Sequence, residues 1–119
     1  MVYDDNIAYK SKAFAVRIVS LYKYLCDKKE YVISKQVLRS GTSIGANIAE
    51  SRFAQSKADF VSKQSIALKE TAETKYWLEL LYDTKYITDT QFESINNDCV
   101  ELLKILTAIV NNSKQNMDS

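Results

Sequence analysis

The chain has 119 residues, a length that fits one domain, and its 46% apolar and 26% charged residues are ordinary for a globular protein. Proline is absent and glycine occurs twice, which argues against a turn-rich all-β fold and for long helices. Histidine is also absent, so the usual general base, proton shuttle and commonest metal ligand are missing. The start is acidic (Asp4, Asp5) with no apolar run behind it, so no signal peptide is expected. No stretch reaches the roughly 18 apolar residues of a membrane span, and a cytoplasmic location is the default expectation. Net charge is +1, but residues 1–69 carry twelve Lys/Arg against six Asp/Glu, and residues 70–119 carry four against nine. Such asymmetry can mark a nucleic-acid face, a head-to-tail contact between subunits, or simply solvated helix surfaces.

Four helical patterns follow one another. The first spans about 6–27: Ile7, Phe14, Ile18, Leu21 and Leu25 form one stripe, and Asp4, Asp5 or Asn6 can cap its start. The second spans about 32–51, with Val37, Gly41, Ile44 and Ile48 on one face. Its start is open between a Ser34 cap and a helix that already includes 31–33. Both glycines lie in it, each costing about 1 kcal/mol relative to alanine, which implies close approach by a neighbouring backbone. The segment 41–45 lacks the lysine and the preceding strand of a phosphate-binding loop.

The third helix spans about 56–84, opened by Ser56 with Asp59 three residues on. Phe60, Ala67, Thr71, Thr74, Leu78 and Leu81 share a face. Around its second half, Tyr76, Trp77 and Leu80 point elsewhere, so this stretch is apolar nearly all round. One small bundle cannot bury every side of one helix, and a subunit interface is expected there. The fourth helix spans about 89–112. Thr88 and Gln91 fit a capping box, and Phe92, Ile95, Cys99, Leu102, Leu106 and Ile109 make a seam. The polar tail, 113–119, is expected to fray. The predicted fold is all-α, a single antiparallel up-down-up-down four-helix bundle over 1–119. In it Cys26 and Cys99 lie about 15 Å apart along the axis, so no bond between them is expected.

Chemistry-bearing constellations are sparse. Glu50, Glu70 and Glu73 lack the histidines of a bundle di-metal site, so no metal or cofactor is expected, and lysines such as Lys63 and Lys69 are their expected partners. With no nucleophile–base pair, no enzymatic activity and no small-molecule substrate are expected. Gln36, Ser40, Ser43, Asn47 and Ser51 form a small polar edge on helix two. Asn47 there reads first as an interhelical hydrogen bond fixing register, and second as a ligand contact. Lys35, Arg39, Arg52 and Lys57 cluster around helix two and its exit, with Phe53 or Tyr31 available to stack on bases.

Residues 38–51 resemble the signature of the bacterial four-helix-bundle proteins called 23S ribosomal-RNA intervening-sequence proteins, R-x-x-x-S-I-x-x-N-I-A-E. Arg39, Ser43, Ile44, Asn47, Ile48, Ala49 and Glu50 match it, with Ser51 where many members have glycine. Asp59, Phe60, Ile66, Ala67, Glu70, Glu73 and Thr74 resemble the family's helix-three motif. Tyr86 and Ile87 resemble its G-Y-[IL] turn, with Lys85 in place of the glycine. Related bundles, including accessory proteins of diversity-generating retroelements, form barrel-like homopentamers and are strongly basic. The resemblance thus implies a homo-oligomer, a pentamer, in accord with the interface expected at Tyr76, Trp77 and Leu80 from the all-round apolar stretch of helix three. The basic residues Lys35, Arg39, Arg52 and Lys57, repeated around such a ring, are the expected contacts to RNA or a ribonucleoprotein. The alternative is an oligomeric scaffold that binds protein partners and has no nucleic-acid role.

Overall fold

The computed structural model describes residues 2–118, with side chains through 116, and measures 49 × 21 × 21 Å. It holds four helices and no strand among the described residues: α1 Asp5–Asp27, α2 Ile33–Ser51, α3 Lys57–Asp83 and α4 Asp89–Asp118. None is long and apolar enough to cross a membrane.

The starts follow from local chemistry. The Asp4 carboxylate accepts from the Asn6 and Ile7 amides (2.9 and 3.2 Å), and Ser56 Oγ accepts from the Asp59 amide (3.0 Å). Thr88 and Gln91 form the reciprocal capping box, at 2.8 and 3.2 Å. The start of α2 falls at Ile33, nearer the second expectation than a Ser34 cap. Ser34 is already inside the helix, and the residue at the cap position, Val32, makes no side-chain cap bond. The buried Glu30 carboxylate takes that role instead, accepting from the amides of Val32, Ile33 and Ser34.

α1 and α3 end alike. The Glu30 amide bonds to Leu25 O and the Lys29 amide to Cys26 O; the Tyr86 amide bonds to Leu81 O and the Lys85 amide to Tyr82 O. This double closure needs a left-handed residue, usually glycine, and here Lys29 (φ 63°) and Lys85 (φ 66°) supply it. Lys85→Gly therefore raises stability by about 0.5–1 kcal/mol, since strain relief exceeds the added freedom of the unfolded chain. Chemical denaturation reads this directly, and a lower midpoint contradicts it.

α4 does not stop at 112 but continues through Asp118. Ile109, Asn112, Ser113 and Asn116 line a groove together with Val2, Tyr3, Asp4 and Lys57. Residues 113–118 hold no glycine or proline that would stop the helix. Ser119 lies outside the described residues.

α1 packs on α2 and α4, and α3 on α2 and α4. Ile7, Phe14, Ile18, Leu25, Val37, Ile44, Ile48, Leu78, Leu81, Leu102 and Leu106 are buried in one core. Gly41 faces Ile18 and Gly45 faces Ser11. The Ser40 and Thr74 hydroxyls meet at 2.9 Å, and Gln64 Nε2 donates to Ser51 Oγ at 2.8 Å. Lys10 pairs with Glu101 (2.8 Å) and Arg17 with Asp98 (2.6 Å). Cys26 and Cys99 are both free thiols. Cys99 donates to Thr71 O at 3.5 Å, and burial pushes its pKa up to about 12.

Candidate functional site

The signature residues of α2 lie along its boundary with α3. Arg39 reaches across that boundary: its guanidinium pairs with Glu70 (3.3 Å) and with Glu73. The same Glu73 oxygen accepts from Trp77 Nε1 at 3.0 Å, and Trp77 meets Tyr76 edge-to-face at 5.1 Å. Arg39, Glu70, Glu73, Trp77 and Tyr76 thus form one chain of contacts from helix to helix. The glutamates expected beside Lys63 and Lys69 split accordingly. Glu50 does pair with Lys63 (3.5 Å), whereas Glu70 and Glu73 take Arg39. Arginine's planar fork can serve two carboxylates at once, which a lysine ammonium does poorly.

Asn47 corrects a sequence expectation. Its Nδ2 donates to Ser43 O at 2.8 Å, one turn back in its own helix, rather than to a neighbouring helix. Ser43 in turn donates to Arg39 O at 2.6 Å, so the polar edge of α2 is satisfied locally. The interhelical polar bonds fall instead to Ser40 with Thr74 and to Ser51 with Gln64.

The four basic residues do not form one patch. Lys35 and Arg39 lie in the first two turns of α2, whereas Arg52 and Lys57 flank the loop at its far end. Thirteen residues of helix separate Arg39 from Arg52 by roughly 20 Å. Arg39 is neutralised by its two glutamates, and Arg52 sits over the Tyr3 ring at 5.2 Å. Lys35 is exposed and Lys57 half-buried, and neither forms an ion pair. The two aromatic candidates are both exposed, Phe53 at 80% and Tyr31 at 54%. On α3, Tyr76 is 58% exposed, while Trp77 and Leu80 are half-buried against the rest of the chain.

The capping role of Glu30 escaped the sequence reading. Glu30 is an acceptor two to four residues ahead of the amides of Val32, Ile33 and Ser34, and that spacing is the signal that could have identified it. No group of three His, Cys, Asp or Glu that could hold a metal occurs among the described residues.

The comparisons with known proteins agree with the signature. A crystal structure of a protein of unknown function from the S23 ribosomal protein family of Bacteroides thetaiotaomicron is similar, with a TM-score of 0.86 and 62% identity. The match covers 87% of this chain and 97% of that one. A comparison with curated proteins gave no match. The family profile described as 23S rRNA-intervening sequence protein matches residues 4–108, and the chain belongs to that family.

Proposed function

We propose that this chain is a non-enzymatic subunit of a homo-oligomeric cytoplasmic scaffold, each subunit an antiparallel up-down-up-down four-helix bundle. The opposed registers of the neighbouring helices support the bundle topology. The observation that carries the scaffold reading is the outer edge of α3. Tyr76 is more than half exposed beside a half-buried Trp77 and Leu80, so one aromatic side chain stands open at this edge with two large apolar neighbours next to it. Aromatic residues of this kind anchor interfaces. Five copies are proposed, as the resemblance to barrel-like pentamers implies. No catalysis is proposed because the chain holds no histidine to act as general base.

RNA binding is the second reading, and the unpaired Lys35 and Lys57 favour it, since each is repeated in every subunit of an oligomer. Arg39 contributes less to that surface than the two lysines, because its half-exposed guanidinium already pairs with Glu70 and Glu73.

Light scattering and RNA anisotropy separate these readings. Tyr76→Glu and Leu80→Glu convert the assembly to smaller species; an unchanged mass overturns the interface. A structured ribosomal-RNA fragment, titrated at low and near-physiological salt, gives no saturable binding if the protein is a scaffold alone. Saturable binding that weakens steeply with salt establishes the RNA reading instead. In that case Lys35→Glu and Lys57→Glu reduce affinity, whereas Arg39→Ala lowers thermal stability and leaves affinity near wild type.

A further inference from the structure

The seam between α1 and α4 is incompletely filled. A groove of about 560 Å³ runs along it, with Leu21, Ile87 and Ile95 as apolar lining and Val16 and Ser20 on its α1 side. This volume falls within the usual range of small-molecule sites. Arg17 bridges the two helices there: its guanidinium donates to Ser94 O (3.2 Å), Ser94 Oγ (2.8 Å) and Asp98 (2.6 Å). Tyr24 lines this groove and also a second one, about 730 Å³, between the loops that follow α1 and α3.

The polar groups gathered at Tyr24 are donors. The Lys28 ammonium lies 5.0 Å from the Tyr24 ring centre and pairs with no carboxylate. Gln91 has its carbonyl oxygen taken by the Thr88 amide at 2.8 Å, which leaves its NH₂ group to act at Tyr24. Lys28 first, and Gln91 second, pull the Tyr24 phenol below its ordinary pKa against the opposing effect of burial, as donors beside an oxygen do. The carboxylates of the loop groove are Asp83 and Asp89; Asp89 is held by the Tyr82 hydroxyl at 2.7 Å, and neither lines the apolar groove.

We propose that the α1–α4 groove binds a small amphipathic anion, its apolar body over Leu21, Ile87 and Ile95 and its anionic head at Lys28, Gln91 and Tyr24. Charge complementarity selects this occupant. The apolar lining favours a flat or aliphatic body, and the cation and amide donors at Tyr24 favour one negative group. The site is separate from the basic residues of α2 and from the Tyr76 edge of α3, and it does not depend on an oligomer built through that edge.

The probe is 8-anilino-1-naphthalenesulfonate, an apolar ring system carrying one sulfonate, titrated by fluorescence against the full chain. The wild-type protein binds it saturably, at one site per chain. Ser20→Trp, an exposed position on the groove, fills the space and weakens binding by about tenfold or more. Lys28→Glu weakens it by about three- to tenfold, more at low salt than at high salt. Lys104→Glu, the same charge change on an exposed part of α4 outside the groove, leaves affinity within about twofold. Circular dichroism confirms that each variant is folded. Non-saturable binding, or equal affinity in all four proteins, overturns the proposal. A smaller assembly for Ser20→Trp with unchanged dye affinity also overturns it, because the groove is then covered by another copy of the chain.

Discussion

Gly41→Ala lowers the stability of this protein by about 1–3 kcal/mol, even though alanine is the better helix former by about 1 kcal/mol. A methyl group on Gly41 would stand 2.7 Å from Ile18 Cγ1, 2.8 Å from Cγ2 and 3.0 Å from Cδ1. Three carbons of one side chain crowd the same point, so turning Ile18 about a single bond cannot relieve all of them. Ile18 is fully buried in the core, and moving it displaces its neighbours in turn. Gly45, one turn along α2, behaves differently. Its added methyl would sit 3.4 Å from the Ser11 carbonyl and hydroxyl oxygens, at ordinary contact distance. Gly45→Ala therefore keeps most of the helix-propensity gain and stabilises by up to about 1 kcal/mol. Urea denaturation at one fixed protein concentration measures both, since assembly makes apparent stability concentration-dependent. A Gly41→Ala midpoint at or above wild type means that Ile18 finds another seat and that close α1–α2 approach does not require this glycine.

Glu30→Ala costs about 2–3 kcal/mol, more than a surface cap. The Glu30 carboxylate, 7% exposed, accepts from the amides of Val32 (3.1 Å), Ile33 (2.9 Å) and Ser34 (2.6 Å). Removing it leaves those amides at the start of α2 without their acceptor. Burial alone would raise the Glu30 pKa. The amide bonds from Ile33, Ser34 and Val32, with a further contribution from the Ser34 side chain, outweigh burial and hold it below the ordinary carboxylate value. A carboxyl whose folded pKa is depressed stabilises the fold fully above its unfolded value, about 4.3. That contribution is lost as pH falls through the lower, folded value. Glu30→Gln, which keeps one acceptor oxygen and no charge, costs less than Glu30→Ala and removes this part of the acid dependence. Denaturation midpoints between pH 3 and 7 test this, and an unchanged pH profile in Glu30→Gln contradicts the assignment.

Much of the helical frame is legible from residue spacing. Ile7, Phe14, Ile18 and Leu25 recur at helical intervals because one face of α1 must leave water, and they are the residues found buried. Asp4, Ser56 and the Thr88–Gln91 pair act within three residues of themselves, so their capping bonds could be anticipated from sequence alone. The family signature is likewise a local string, matched between Arg39 and Glu50.

What escaped the sequence depends on residues far apart in the chain. Arg39 looks like a free cation until α3 brings Glu70 and Glu73 across to it, 31 and 34 residues later. The left-handed turns at Lys29 and Lys85 run against the preference of a residue with a side chain, and the docking of the helices holds them there. The groove beside Tyr24 exists only because α1 and α4 leave a gap between Leu21 and Ile95. Periodicity reports which face of a helix avoids water, so the sequence by itself determined four helices, most of their caps and their buried stripes. Only the tertiary structure decided which charges meet and where space remains, because those outcomes depend on distances between helices that no local pattern contains.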